Sequence, residues 1–433
     1  MKPFKLTCLL TLLVLANSVP AAEEDQAALT ASSNALKPRT DLNPALTYWQ
    51  AFAARPEFTP EEQKLWEKHW DTIPLGDEFT PLIERLDPSF RLFRRAVQYT
   101  QPCDWGYDLA DGPELLLPGL AKAKNTAQQA AFRARYFLER GREDDALQDL
   151  LAAFVLGRHA STDGTLISAL VQIAVESIVA DCVAINFHYF GPESLKRFSN
   201  GIEASPPRGT IARAMQVESE ALYGWFARKI REIRARHEGD EQKIMAEIRS
   251  LLAKTTAEGD SKTTTGEGST AGADEIIAAA GGTSLGLLDY IDGGAKLYDE
   301  LILLSHLPYT EFQQQIKGFD ERVEAQSNLF VKRLFPSLGK ARSREFIVLN
   351  RLAMLRAAIA YRLEGEAGFK NVRDPFGSGP FGFRRVENHP NRQGRVLGSG
   401  FELSSELINV WGPEKEKGKP MAMVFIVKPA AAK

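Results

Sequence analysis

The sequence predicts a mainly α-helical protein, built from repeat-like helical hairpins or a bundle, with a small C-terminal β element. Apolar residues recur at helical spacing through most of residues 40–366. Within that region, residues 118–160 carry small and aromatic side chains at the spacing of a helix-turn-helix. Residues 367–433 instead alternate Gly/Pro-rich turns with short apolar runs such as 423–427, a pattern typical of strands.

A signal peptide is predicted over residues 1–21. Lys2 and Lys5 precede an apolar run at residues 6–16, and small residues follow it. The run is too short to cross a bilayer, which needs about 20 residues. We therefore expect export to the periplasm or the medium, an uncleaved anchor being the alternative. The polar stretch 22–39 is predicted to be disordered.

Composition limits the classes of function. The chain has 433 residues, of which 44% are hydrophobic, enough to bury a sizeable core. Its formal charge is −3, and removal of the signal peptide, with two lysines and no acid, takes it to −5. This mild negative charge argues against a nucleic-acid partner. No run of 18 apolar residues follows the signal, so we predict no transmembrane helix after cleavage.

The remaining chain is predicted to divide into four parts. Residues 40–253 form a helical domain, 254–283 a Thr/Gly/Ser/Ala-rich low-complexity linker, 284–366 a second helical segment, and 367–433 the β-rich tail.

Residues 118–160 resemble one tetratricopeptide repeat. The characteristic positions are occupied by Ala134, Phe137, Gly141, Ala146, Leu150 and Ala153. The pattern does not continue one period earlier or later, so it indicates a single helical hairpin and not a tandem solenoid. Such a hairpin implies a concave surface for a protein or peptide partner.

Two further resemblances concern localisation and assembly. Residues 43–52, 103–108 and 165–170 resemble a family of exported bacterial α-helical proteins without assigned activity, which implies export and brings no catalytic residues. The segment Asp374-Pro-Phe-Gly is similar to the C-terminal loop of some type II secretion pseudopilins. Those proteins begin with a long apolar helix that carries their processing signal, which this chain lacks.

Three acidic residues are candidates for catalysis. Asp104 and Asp108 lie in an acidic, aromatic-rich segment, where clustered carboxylates could bind Ca²⁺ or divide acid and base roles in hydrolysis. The structural alternative is that acids here begin a helix, with Asp111 and Glu114 as a capping box. Glu176 lies in an apolar helix, where burial could make it a general acid or pair it with a neighbouring Arg158.

Cysteines and histidines give weaker indications. Signal cleavage leaves Cys103 and Cys182, which could form a disulfide in an oxidising compartment or stay as two separate thiols. No two histidines lie at metal-ligand spacing, so we predict no metal site. The sequence has no phosphate loop, dinucleotide fingerprint or nucleophile elbow, and we predict no cofactor.

These observations favour an exported, non-enzymatic binding or scaffold protein of the cell envelope, with a protein or peptide partner. The alternatives are a hydrolase that uses the acids near residues 104–111, and an accessory component of a secretion or pilus-like assembly.

Overall fold

The computed structural model describes residues 39–68, 75–259, 268–334, 337–390, 394–409 and 417–430. It confirms a mainly α-helical protein with a small C-terminal β element. The predicted signal peptide, 1–21, and the stretch 22–38 lie outside the described residues.

The described residues form fifteen α-helices and one sheet. The helices are α1 (Pro44–Ala53), α2 (Pro60–Lys68), α3 (Thr80–Ala96), α4 (Pro118–Leu138), α5 (Glu143–Ala160), α6 (Leu166–Ile185), α7 (Pro192–Glu203), α8 (Ile211–Glu218), α9 (Gly224–Arg236), α10 (Glu241–Gly259), α11 (Gly268–Ala279), α12 (Ser284–Ser305), α13 (Tyr309–Glu324), α14 (Leu329–Leu334) and α15 (Leu338–Asn371). The strands are β1 (Gly382–Pro390), β2 (Val396–Ile408) and β3 (Pro420–Pro429).

The hairpin at residues 118–160 consists of α4 and α5, which pack along each other. Gly141 lies in the turn between them with φ +70°, a conformation that glycine adopts without steric cost. Three acids in the first turn of α5 face the positive end of its dipole. Helix α3 also packs against α5.

Helix α6 lies at the centre of the fold, where it packs against α4, α5, α8 and α15. Its close approach to α5 depends on Gly157, because a Cβ there would lie 2.7 Å from a methyl carbon of Val175. By length and mean hydropathy, α6 passes as a candidate membrane span among the described residues. More than half of its most apolar stretch is buried within the protein, as in the core helix of a globular fold.

The predicted linker at 254–283 is helical in its described part. Helix α10 extends to Gly259, and α11 occupies Gly268–Ala279 and packs against α10. Ile276 and Ile277, the two bulky apolar residues of this segment, are both buried. Burial of this pair overrides the Gly/Ser/Thr-rich composition on which the linker prediction was based.

The sheet is antiparallel with the order β1-β2-β3. Phe401 on β2 pairs with Phe425 on β3, and both rings contact Phe187 next to the end of α6. Gly365, at φ +68°, kinks α15 shortly before the chain enters the sheet. The tail is therefore attached to the helical core by aromatic packing.

Candidate functional site

Asp104 and Asp108 stabilise their own turns. Asp104 Oδ1 accepts a hydrogen bond from the Gly106 amide at 2.9 Å, and Asp108 Oδ1 accepts from the Ala110 amide at 2.9 Å. Asp108 is thus the N-cap of a short 3₁₀ helix, Leu109–Glu114, a role that the sequence had suggested for Asp111. Both candidate carboxylates are exposed. They occupy a surface loop that organises its own backbone.

Glu176 lies in a buried network of ion pairs that contains neither Asp104 nor Asp108. Its fully buried carboxylate contacts Arg158 and lies 3.1 Å from Nη2 of Arg208. Arg208 then reaches Glu345 at 2.8 Å, and Glu345 also pairs with Arg342. The network joins α5, α6, the loop before α8, and α15. Glu176 is therefore a structural ion-pair partner, the alternative that its sequence context left open.

No disulfide joins Cys103 and Cys182 in the structure. Both are buried, and Cys182 Sγ lies 3.7 Å from the carbonyl oxygen of Ala131. Burial raises the pKa of Cys103 to about 12, although a hydrogen bond from the Ala45 amide opposes this shift. The structure thus shows two separate buried thiols, one of the two alternatives that the sequence analysis left open.

The Asp374-Pro-Phe-Gly segment is a structural turn beside the sheet. Asp374 Oδ1 accepts from the Phe376 amide and from Ser405 Oγ, both at 2.9 Å, and Oδ2 accepts from the Glu406 amide at 2.8 Å. Phe376 packs edge-on against Tyr309 and Phe346. These contacts explain why an aspartate, an aromatic ring and glycine occur together here.

A cavity that the sequence analysis did not identify lies between α3, α4 and the start of α5. Its volume is about 440 Å³, and we call it the arginine groove. It is lined by Glu84, Asp87, Pro88, Phe90, Arg91, Arg94, Arg133, Phe137, Arg142 and Asp145. Four arginines and three acids thus surround two phenylalanine rings. The lining residues lie on α3, on α4 and at the start of α5, so no short sequence motif contains them.

The inner wall of the arginine groove is held rigidly by a buried carboxylate. Asp149, fully buried on α5, accepts from Arg94 Nε at 2.7 Å and from Arg133 Nε at 2.8 Å. The Arg133 side chain is only 2% exposed, and it also binds the carbonyl oxygen of Ile83 and the carboxylate of Asp87. These charge-assisted hydrogen bonds hold the guanidinium groups of Arg94 and Arg133 in place in the absence of a ligand.

The outer rim of the arginine groove carries the accessible positive charge. Arg142 is 53% exposed, pairs with Asp145 at 2.8 Å, and its guanidinium lies 4.4 Å from the ring centroid of Phe137. Arg91 is exposed on α3 and makes no ion pair with any other described residue. The spacing of Arg91 and Arg94 places them on one helix face, the one partial signal of this site in the sequence.

A second pair of carboxylates lies at the N-terminus of α6. Asp163 Oδ1 accepts from the Thr165 amide at 2.8 Å, and Glu218 Oε1 accepts from the adjacent Leu166 amide at 3.0 Å. Burial raises the pKa of both acids, while these backbone hydrogen bonds oppose the shift. Both carboxylates also face the positive end of the α6 dipole, so they stabilise the start of this helix.

Within the described ranges, no group of three or more His, Cys, Asp or Glu side chains is placed to hold a metal ion. The arginine groove is thus the best-formed candidate for a ligand site among the features described above. Comparisons with protein-family models, curated proteins and solved structures find no match.

Proposed function

We propose that this chain is an exported, non-enzymatic binding protein of the cell envelope that holds a protein or peptide partner in the arginine groove. The groove itself is the observation that carries this proposal. Its volume of about 440 Å³ lies within the range of roughly 300–1,000 Å³ that is usual for ligand sites. Its inner wall is pre-organised by Asp149, so ordering these side chains adds little cost to binding.

Binding is favoured over hydrolysis by the contacts of the three candidate acids. Asp104 and Asp108 each accept a backbone hydrogen bond within their own turn, and Glu176 is neutralised by two arginines. A general acid or base needs a carboxylate that can reach a substrate, which the fully buried Glu176 cannot, and the exposed Asp104 and Asp108 are used to hold their own turns. Export is supported by the basic, apolar and small-residue pattern of residues 1–21.

Site-specific photocrosslinking in the native envelope tests the proposal. A photoreactive phenylalanine analogue would replace Glu84, an exposed residue of the groove wall, in the full-length chain. The matched control places the same group at Glu203, which is exposed at the end of α7 and outside the groove wall. We expect discrete adducts of a protein or peptide from position 84 and none of the same mass from position 203. Identical adducts from both positions, or none from position 84, would contradict the proposal.

A further inference from the structure

We infer that the arginine groove recognises a carboxylate group of its ligand, with Arg91 and Arg142 as the residues that bind it. This inference rests on the proposed binding function and adds the chemistry of the ligand. The four arginines of the groove differ in how many of their N–H groups the protein already uses.

The two inner arginines are neutralised by the protein. Arg94 and Arg133 share the buried carboxylate of Asp149, and each pairs with a second acid, Asp145 for Arg94 and Asp87 for Arg133. A ligand that displaced Asp149 from these arginines would leave a fully buried acid without a counter-charge, which is costly. The inner arginines therefore shape the wall and leave ligand binding to the rim.

The two rim arginines keep N–H groups that a ligand can use. Arg142 uses Nε and Nη2 on Asp145, which leaves Nη1 for a ligand, and the ring of Phe137 supports its guanidinium plane. Arg91 has no ion-pair partner among the described residues. The planar fork of the Arg91 guanidinium matches the two oxygens of a carboxylate, and Nη1 of Arg142 can add one charge-assisted hydrogen bond, so the rim favours this ligand.

The acids of the groove make a more highly charged anion a poorer ligand. Glu84, Asp87 and Asp145 line the same cavity as the arginines. A phosphate dianion or a nucleic-acid backbone would meet their repulsion along most of its surface, whereas a single carboxylate can contact the rim alone. Phe90 and Phe137 are buried, and their rings support the guanidinium groups of Arg133 and Arg142, so the surface offered to a ligand is polar.

A peptide carries a carboxylate either at its C-terminus or on Asp and Glu side chains. Immobilised mature protein, residues 22–433, can distinguish these sources with three pools of randomised hexapeptides. The first pool contains acidic residues and an amidated C-terminus, the second has a free C-terminus without acidic residues, and the third has neither. We expect mass spectrometry of the retained peptides to show about tenfold enrichment of the first or second pool over the third.

Variants then locate the binding. Arg91→Ala and Arg142→Ala should each weaken binding of the enriched peptides by about tenfold, because each removes one charge-assisted contact. Arg142→Lys keeps the charge but cannot hold Asp145 with one edge while it offers a further N–H to the ligand, so it should restore only part of the affinity. The matched control is Arg95→Ala, an exposed arginine on α3 that does not line the groove, which should change affinity less than about twofold. Circular dichroism would show that all variants are folded.

Two results would overturn the inference. Equal retention of all three pools would exclude recognition of a carboxylate, and equal losses in the Arg91 and Arg95 variants would indicate nonspecific attraction. Either could occur while photocrosslinking from position 84 still captures a partner, in which case the binding function stands and its assigned chemistry fails. If neither peptides nor envelope partners bind at the groove, both proposals fail together.

Discussion

Acidification should destabilise this protein through His159. The residue is 4% exposed at the end of α5, its Nδ1 lies 2.8 Å from the hydroxyl oxygen of Tyr48, and its backbone carbonyl accepts from Trp105. Burial lowers the pKa of His159 from 6.5 to about 4, because charging the ring there would remove a cation from water. The folded protein therefore holds this imidazole neutral under conditions in which the unfolded chain protonates it.

The sign and size of the effect follow from this difference in pKa. Between about pH 6.5 and pH 4 the unfolded state binds more protons than the folded state, so stability decreases as the pH decreases. The contribution of His159 is fully present above pH 6.5. At about 1.4 kcal/mol for each pKa unit, the loss is about 2 kcal/mol by pH 5 and approaches about 3.4 kcal/mol well below pH 4.

Urea unfolding of the wild type and of His159→Gln from about pH 7.5 to about pH 5 would measure this loss. Glutamine keeps a hydrogen-bonding group for Tyr48 and does not titrate. The variant should be less stable at neutral pH, and its disadvantage should shrink by about 2 kcal/mol at pH 5. The carboxylates titrate in both proteins, so their contribution cancels in the difference between the two free energies of unfolding. Parallel pH profiles would refute the reasoning, since they would mean that His159 has the same pKa in both states.

Three further predictions concern stability and the thiols. Glu176→Gln should cost about 3–5 kcal/mol in urea unfolding, because two largely buried arginines lose their shared counter-charge; a loss below about 1 kcal/mol would contradict the buried network. Gly157→Ala should cost about 1–3 kcal/mol by forcing α5 away from Val175, and an unchanged thermal midpoint would count against this close packing. Cys103 and Cys182 should resist a thiol reagent near pH 8 in the folded protein and both react after denaturation without reductant, because they are buried and not bridged. A disulfide-linked peptide in the unreduced protein would disprove that prediction.

Helix starts are the part of the fold that the sequence predicts best, because their signals are local. Asn43 caps α1 by accepting from the Ala45 amide at 3.0 Å, with Pro44 at the first helical position. Thr59 and Glu62 form a reciprocal capping box at α2, with bonds of 2.9 and 3.2 Å. Each signal needs residues only three or four positions apart, a separation that a sequence pattern displays directly.

Contacts between distant residues account for what the sequence analysis missed. Arg208 meets Glu345 across 137 positions, and nothing in either segment identifies the other as its partner. The arginine groove has the same origin, since Arg91 on α3 and Arg142 just before α5 are brought together only by the packing of α3 on α5. The helical segment at 268–279 was missed for the opposite reason, because its composition suggests a linker while two buried isoleucines hold it in the fold.

The Glu176 network and the arginine groove each contain a buried carboxylate between two arginines, but we expect the first to act in stability and the second to lie beside a ligand site. In each, a fully buried carboxylate, Glu176 or Asp149, bridges two arginines. The arginines on Glu176 are 11% and 13% exposed and tie separate helices together, so their charge is used within the fold. The arginines on Asp149 line the arginine groove, which also has Arg91 on its rim. Loss of Glu176 should therefore reduce stability while the folded fraction keeps its ligand affinity, and loss of Arg91 should reduce affinity while stability is retained.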